Sequence, residues 1–452
     1  MIKRTKKSSF KAGMYLLETL TSGMYNDPLS IYREYIQNAV DSIDIGKRQG
    51  KRKVTTINID LNHQTRSICI RDNGVGIPAE MAENILSSIG SSNKQGNGLG
   101  RLRGFRGIGR LGGVAFSDKA IFRTKAEGEN IESIQEWDCQ KLRQLFETEK
   151  YKLTLKDLFG KITLFSQKNG LPSKNSYFEV ILNGVSSFRN QIFDIAKIRS
   201  YISQVAPVPF NYDQFSHGRL IDEYLMKKLS NYGVYNIVLN GKPIHKPYSD
   251  TIKTAMKKGG FDNIKNVRFI DIKMNQEKPL AYGWYGERQD LLGSIRKGEA
   301  YSGIRVRVGN ILLGDAHLLD RCFREDRFNG YMVGEIHVDT SQLVPNSRRD
   351  DFIDNEAKTL FYNFIERNIG IPISKEIRLR SKTNSEASPH NEKLKYEQLT
   401  KEHPTAFNQD NLNLKTNKQN AFIYDKVLNE KLYEIFKTCK HCPKLSSILK
   451  AH

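Results

Sequence analysis

Three short segments within the first 125 residues hold the side chains best suited to chemistry. They run from Glu34 to Asp41, from Asp72 to Gly76, and through a glycine-rich stretch that ends at Gly113. A carboxylate can deprotonate a water, an amide oxygen can ligate a hard cation, and glycine-rich backbone can bind an anion. Each segment alone is a weak signal. Together they predict a pocket for a nucleotide, a metal and an attacking water.

The first segment lies in a predicted amphipathic helix, because apolar residues recur at a spacing near 3.6 from Leu29 to Ile43. Glu34, Asn38 and Asp41 stand at i, i+4 and i+7 and therefore share one helix face. The amide of Asn38 suits Mg²⁺, and the carboxylate of Glu34 suits the activation of a water. A solvated polar stripe on a surface helix is the alternative for this segment alone.

The second segment follows a predicted hairpin of two β-branched runs, which leaves Asp72 at the end of a strand. A carboxylate in that place can accept a hydrogen bond from an exocyclic amine. Gly74 and Gly76 have no Cβ, so a flat base or a phosphate can approach their backbone. The alternative is an ordinary Asp-Asn-Gly turn, which these residue types favour for conformational reasons.

The third segment combines glycines with positive charge, as a loop that closes over phosphates would. It is not a Walker loop, because no Gly-Lys-Ser/Thr follows the glycines. The chain continues with the apolar runs Val114 to Phe116 and Ala120 to Phe122, which argues against a disordered linker, and Thr124 follows just beyond them. The candidate phosphate-binding residues are Lys94, Gly104, Gly107, Gly109 and Gly112.

In this order, the three segments resemble the motifs of the GHKL ATPases, the superfamily of DNA gyrase B, the ninety-kilodalton heat-shock chaperones, histidine kinases and MutL. Tyr15 to Leu20 followed by Asp27 to Asp41 is most similar to the heat-shock chaperone branch. The resemblance implies ATP and Mg²⁺ as cofactors. It also implies that this part of the chain forms the α/β sandwich known as the Bergerat fold.

The resemblance also implies roles for individual residues. Glu34 would activate water, Asn38 would ligate Mg²⁺, and Asp72 would bind the adenine amine. Gly76 and Thr124 would shape the base pocket. The loop from Gly104 to Gly113 would fold over the phosphates, and Asp41 is a weaker assignment at the same site.

A second domain is predicted beyond residue 206, with strands near residues 234–239, 280–285, 304–308 and 331–338 and helical stretches between them. The segment from Leu343 to Asp350 is similar to the end of the chaperones' middle, or transducer, domain. The resemblance implies an arginine that reaches the γ-phosphate, with Arg349 the first choice and Arg348 the second. The alternative is a surface ion-pair cluster of these arginines with Asp350, Asp351 and Asp354.

We therefore expect an α+β protein in four parts. They are a GHKL ATP-binding domain at 1–206, a transducer-type domain at 207–380, a polar linker at 381–420 and a helical segment at 421–452. The last segment is too short to build a core, so it would pack on a partner or on a second copy.

The formal net charge is +21, which raises nucleic acid as a partner. Residues 381–452 hold 12 Lys and 8 acidic residues, so most of the positive charge belongs to the two predicted domains. An acidic protein would suit the same charge, and no DNA-reading motif is present. No apolar run is long enough to span a membrane, and we expect a cytoplasmic protein.

Five cysteines in 452 residues do not make a disulfide framework. Cys439 and Cys442, with His441 between them, form an incomplete zinc-ligand set. A chance occurrence is the better interpretation of this pair.

The predicted function is a slowly hydrolysing ATP-driven clamp of the heat-shock-chaperone-like type. It would dimerise when nucleotide binds and act on a protein client or effector. The alternative is a DNA- or RNA-associated GHKL ATPase, similar to MutL or the MORC proteins, in a bacterial defence or repair system.

Overall fold

The computed structural model describes residues 27–50, 55–88, 109–148, 153–185, 187–256, 260–274, 278–346 and 348–386. Several predictions lie outside these residues. They concern Lys94, Gly104 and Gly107 of the glycine-rich loop, and all of the chain beyond residue 386, including the pair Cys439 and Cys442.

The first half of the described chain builds an eight-stranded sheet. The strands are β1 (Thr56–Asn62), β2 (Ser67–Asp72), β3 (Lys119–Lys125), β4 (Glu132–Asp138), β5 (Thr163–Lys168), β6 (Tyr177–Asn183), β7 (Asn236–Leu239) and β8 (Lys242–Pro243). They follow the order β5-β4-β3-β6-β2-β1-β7-β8, and all neighbours are antiparallel except β1 and β7. The helices are α1 (Ser30–Arg48), α2 (Ala79–Ser87), α3 (Cys139–Thr148), α4 (Leu155–Ile162), α5 (Ile195–Val205) and α6 (Gly218–Lys228).

Helix α1 covers the centre of this sheet. Its buried residues recur at helical spacing and join one core with the inward side chains of β1, β2, β3 and β6. The helix runs five residues beyond the predicted end at Ile43. Lys47 and Arg48 occupy its last turn, where positive charge is favourable against the exposed carbonyl groups.

The second half of the described chain builds a six-stranded sheet. The strands are β9 (Thr251–Lys253), β10 (Phe261–Lys273), β11 (Pro279–Arg288), β12 (Gly303–Val308), β13 (Ile311–Leu313) and β14 (Val333–Val338). Their order is β13-β12-β14-β11-β10-β9, in which only β12 and β14 are parallel. The helices are α7 (Glu356–Ile365) and α8 (Ile371–Glu386), joined by a π-helical turn at Glu366–Gly370. One face of the sheet packs on α7 and α8, and the other packs on α6 and an aromatic cluster.

The structure confirms the predicted α+β class and the strands that correspond to β11, β12 and β14. The helical stretch expected between residues 239 and 280 is wrong, because β9 and the long strand β10 lie there. Exposed and buried residues largely alternate along β10, and this period of two is typical of a strand. Strand β7, expected in the second domain, pairs with β1 of the first sheet.

No helix within the described ranges is long and apolar enough to cross a membrane.

Candidate functional site

Asp72 and Thr124 form one row across the inner face of the first sheet. Asp72 ends β2 and stands opposite Phe178 of β6, and Thr124 of β3 stands opposite Phe178 from the other side. Two strand spacings therefore separate Asp72 and Thr124, about 10 Å. Both side chains are buried, at 3% and 0% exposure. They are polar residues on a sheet face that is otherwise mostly apolar, as a base-binding pocket requires.

The carboxylate of Asp72 is held in a fixed orientation. The Gly74 amide donates to its Oδ1 at 2.8 Å, and Ser42 of α1 donates a side-chain hydrogen bond. Burial raises the pKa of Asp72 to about 7, although these bonds and one from the Phe178 amide favour the charged form. Asp72 is thus a strong, preoriented hydrogen-bond acceptor. Its buried negative charge costs free energy unless a ligand donates a hydrogen bond to it.

The turn after Asp72 passes close to the end of β3. Gly76 has a φ of +68°, and a Cβ there would lie 2.0 Å from the Lys125 carbonyl oxygen. The next amide, from Ile77, donates to Thr124 Oγ1 at 2.8 Å. At Gly74 a Cβ would meet Ser42 Oγ at 2.1 Å. Both glycines are therefore required by the packing of this turn against its neighbours.

Helix α1 presents a polar face beside this turn. The side chain of Glu34 is 12% exposed, and Arg33 Nε lies 3.6 Å from its Oε1. Asn38 is half-buried on the same face, and Asp41 is buried one turn further on. Glu34 and Asn38 thus remain partly accessible, as residues that contact a substrate must be.

Gln37 belongs to the same face, although the sequence pattern did not single it out. It is 3% exposed, and its Oε1 has no hydrogen-bond partner within the described part of the chain. At 3.6 residues per turn, it lies about 60° from Glu34 around the helix axis. A buried acceptor without a donor is costly, so Gln37 is suited to a donor that this structure lacks.

The end of the glycine-rich loop is anchored on α1. Gly109 and Gly112 lie in a 3₁₀ turn, Gly109–Gly113, and the Gly113 amide donates to the Tyr35 hydroxyl at 3.0 Å. A Cβ at Gly113 would lie 2.3 Å from that hydroxyl. The turn therefore places the base of the predicted lid against the helix that carries Glu34.

Residues 31–170 match a family model described as histidine kinase-, DNA gyrase B- and HSP90-like ATPase. This region is a GHKL ATPase domain. It contains every predicted site residue except Arg348 and Arg349. No curated protein matches the chain.

A GHKL ATPase domain binds ATP, and the oxygen atoms on α1 are of the kinds that would hold a Mg²⁺ ion. Glu34, Gln37 and Asn38 offer carboxylate and amide oxygens, which Mg²⁺ prefers, and no described residue donates a hydrogen bond to the buried oxygen of Gln37. No cluster of three or more His, Cys, Asp or Glu suited to a metal occurs in the ranges that the structure describes. Mg²⁺ at nucleotide sites commonly takes one or two protein ligands, and phosphates and waters supply the rest.

The predicted γ-phosphate arginines lie on the loop between β14 and α7, outside the GHKL domain. Arg348 is 82% exposed, and its Nε lies 2.9 Å from Asp350, as the ion-pair alternative expected. Asp351 and Asp354 instead pair with Lys358. Arg349 adopts a φ of +57°.

The backbone holds Arg349 in that conformation. Its amide donates to the Asn346 carbonyl at 3.3 Å, and its own carbonyl accepts from the Gly314 amide at 2.8 Å. A positive φ in a residue other than glycine costs roughly 1–3 kcal/mol and is common at functional sites. This strain distinguishes Arg349 from Arg348.

Proposed function

We propose that this protein hydrolyses ATP slowly and uses the nucleotide to drive a conformational clamp that acts on a protein client or effector. The row formed by Asp72 and Thr124, beside the α1 face that bears Glu34, carries the proposal. The row is suited to a flat base with an exocyclic amine, and the helix face is suited to the phosphates and a water.

In this mechanism Asp72 accepts a hydrogen bond from the adenine amine, and the turn through Gly76 lines the edge of the base. Glu34 orients a water and takes its proton as the water oxygen bonds to the γ-phosphorus and the bond from that phosphorus to the leaving ADP oxygen breaks. Asn38, with Gln37 beside it, would hold Mg²⁺. Bound Mg²⁺ supplies neutralisation of the phosphate charge.

Arg349 completes this site from the second sheet. A guanidinium carries a permanent charge and can bind two phosphate oxygens together, so it suits the negative charge that develops on the terminal phosphate. Closure of the second sheet on the nucleotide would then limit turnover, as is common in lid-closing enzymes. Two copies would associate through their ATP-bound domains.

The direct test compares wild type with Glu34→Ala. We expect the wild type to release phosphate from ATP in the presence of Mg²⁺, and the variant to bind ATP within about twofold of wild type but to lose hydrolysis by at least about a hundredfold. Glu223→Ala, an exposed glutamate on α6, is the matched control. Unchanged hydrolysis in a clean Glu34→Ala preparation would exclude Glu34 as the base.

Two further measurements address the clamp. Light scattering after size-exclusion chromatography should show a monomer without nucleotide and a dimer with a non-hydrolysable ATP analogue. The ATPase rate should not respond to double-stranded DNA. Stimulation by DNA that weakens as salt rises would instead indicate a nucleic-acid-associated ATPase.

A further inference from the structure

The second sheet buries a group of charged side chains on the face that meets the end of α5. Glu335 of β14 and Arg305 and Arg307 of β12 lie there, all with 2% exposure or less. Lys246 and His337 are also buried in this group, at 2% and 1% exposure. A buried charge is costly unless it has hydrogen-bond partners. The partners of Glu335, Arg307 and Arg305 therefore show which of these side chains are satisfied.

Glu335 is fully satisfied by its neighbours. Its two oxygens accept from Lys246 Nζ at 2.9 Å, from Arg307 Nε at 2.6 Å and from the Tyr248 hydroxyl at 3.0 Å. The His337 ring adds a contact at 3.2 Å. Burial alone would raise the pKa of Glu335, but Arg307, Lys246 and His337 hold it well below its usual range. No acceptor site remains on this carboxylate for another donor.

Arg307 binds the backbone at the carboxyl end of α5. It donates to the Gln204 carbonyl at 2.7 Å and to the Ala206 carbonyl at 3.5 Å. The last carbonyls of a helix have no partners within the helix and carry partial negative charge, which a guanidinium compensates. Arg307 therefore has hydrogen-bond partners on β14 and at the end of α5, and it connects the second sheet to that helix.

Arg305 lies on the same face but is poorly satisfied. It stands directly opposite Glu335 in the pairing of β12 with β14, yet that carboxylate is already saturated. Its Nη2 reaches Gln204 Oε1 at 3.3 Å, and its Nε and Nη1 have no acceptor within the described ranges. A buried cation with one long hydrogen bond does not stabilise a fold. Its presence calls for another explanation.

Gln204 connects Arg305 to helix α5, which packs on the side of the proposed ATP site. The amide nitrogen of Gln204 donates to the Ser200 carbonyl at 2.9 Å, which turns its oxygen towards Arg305. Tyr201 lies one turn earlier on α5, packs against the core that contains α1, and has Arg33 and Glu34 within electrostatic range. A shift in the position of Gln204 can thus be transmitted along α5 and through Tyr201 to α1, the helix that carries Glu34.

We propose that Arg305 is a positioning residue for ATP hydrolysis, acting through Gln204 and α5 on the placement of Glu34. This inference rests on the proposed function, because it names a regulator of the same site. Arg307 fixes the end of α5 permanently, whereas the single bond from Arg305 adjusts it. Two donors of Arg305 have no acceptor among the described residues, so this side chain can change partners when the second sheet moves on the nucleotide.

The test uses the full chain and compares Arg305→Leu with wild type. We expect kcat to fall at least about tenfold, with KM and the Kd for ATP within about twofold. The melting temperature should be unchanged or higher, because an under-satisfied buried charge is removed. Gln204→Leu should lower kcat equally, and the double variant should lose no more than either single variant.

Arg199→Leu is the matched control, because this half-buried arginine lies on the same helix and binds the Pro243 carbonyl of the first sheet at 2.7 Å. Its kcat should equal that of wild type. Hydrogen exchange gives a readout that does not need hydrolysis. A non-hydrolysable ATP analogue should change exchange at α1 and α5 in wild type, and at α1 alone in Arg305→Leu.

Two results would overturn the proposal. The first is an Arg305→Leu variant that keeps kcat within twofold of wild type and keeps the exchange response at α5. The second is a parallel loss of melting temperature and ATP affinity, which would make Arg305 merely structural. Failure of the proposed function is a separate result, namely a wild type that binds ATP and does not hydrolyse it.

Discussion

Asp72 and Thr124 stand opposite the same residue, Phe178, from the two strands that flank β6. The strand register thus fixes the separation of the two polar groups at the floor of the site. A slip of one residue along β6 would turn Phe178 to the other face of the sheet and disrupt this row. The proposed base pocket would therefore be a property of the sheet pairing rather than of any loop.

The raised pKa of Asp72 predicts a pH dependence. The folded carboxyl has a pKa of about 7, and an unfolded Asp is near 4, so the folded state binds more protons in between. Stability from this group is therefore full below about pH 4 and is lost as pH rises to about 7. Affinity for the adenine amine should change in the opposite sense and improve towards pH 8, because the charged acceptor is the stronger one.

Asp72→Asn is the variant that isolates this effect. It should bind ATP at least about tenfold more weakly at pH 8, and its melting temperature should lack the component that declines between pH 4 and 7. Asp60→Asn, an exposed residue on the other face of β1, is the control and should follow wild type. Identical pH profiles for wild type and Asp72→Asn would show that Asp72 does not titrate in this range.

Gly76→Ala should damage both stability and ATP binding. The substitution places a side chain at φ +68° and drives its Cβ into the Lys125 carbonyl, which belongs to a central strand and cannot yield. Gly128→Ala separates the two causes, because Gly128 has φ +85° and no atom of the described residues lies within 4 Å of the added Cβ. We expect a loss of about 1 kcal/mol in the free energy of unfolding at Gly128 and about 3 kcal/mol or more at Gly76.

Denaturant unfolding and ATP titration would measure these effects. Gly128→Ala should keep the wild-type Kd for ATP. Equal losses of stability in the two variants would show that the contact with Lys125 adds nothing to the conformational cost.

Arg349→Ala and Arg348→Ala should differ sharply in hydrolysis. Removing a guanidinium that contacts the terminal phosphate typically costs 10³–10⁵ in kcat, so we expect Arg349→Ala to lose roughly a thousandfold or more. Arg348→Ala loses only an exposed ion pair and should stay within about twofold. Single-turnover phosphate release would measure both, and the reverse order of effects would move the assignment to Arg348.

The local parts of the site could be predicted from the sequence. The α1 face and the strand that ends at Asp72 follow from residue spacing within about fifteen residues. The proximity of Asp72 to Thr124 could not be predicted in this way, because it depends on β6 entering between β2 and β3. Pairing across such distances leaves no periodic signal in the chain.

The buried charges of the second sheet could not be predicted from the sequence, for a different reason. In β12, Arg305 and Arg307 alternate with Ile304 and Val306, which is the usual pattern of a strand with one face in water. The structure buries both faces of β12, and Glu335 on the neighbouring strand accounts for the burial of Arg307. A charged residue in an alternating strand thus does not reveal which layer will cover it.

The parallel pairing of β1 with β7 constrains how the protein is made. Thr56–Ile59 can pair only after Asn236–Leu239 has been synthesised. That partner segment leaves the ribosome about 180 residues later, which takes roughly 10–40 s at ordinary rates of synthesis. During that interval the growing chain carries an open strand edge beside the proposed nucleotide site, and such edges invite wrong pairing. A fragment ending at residue 206 would keep that edge permanently, so a soluble ATPase fragment should extend through β8 at Pro243.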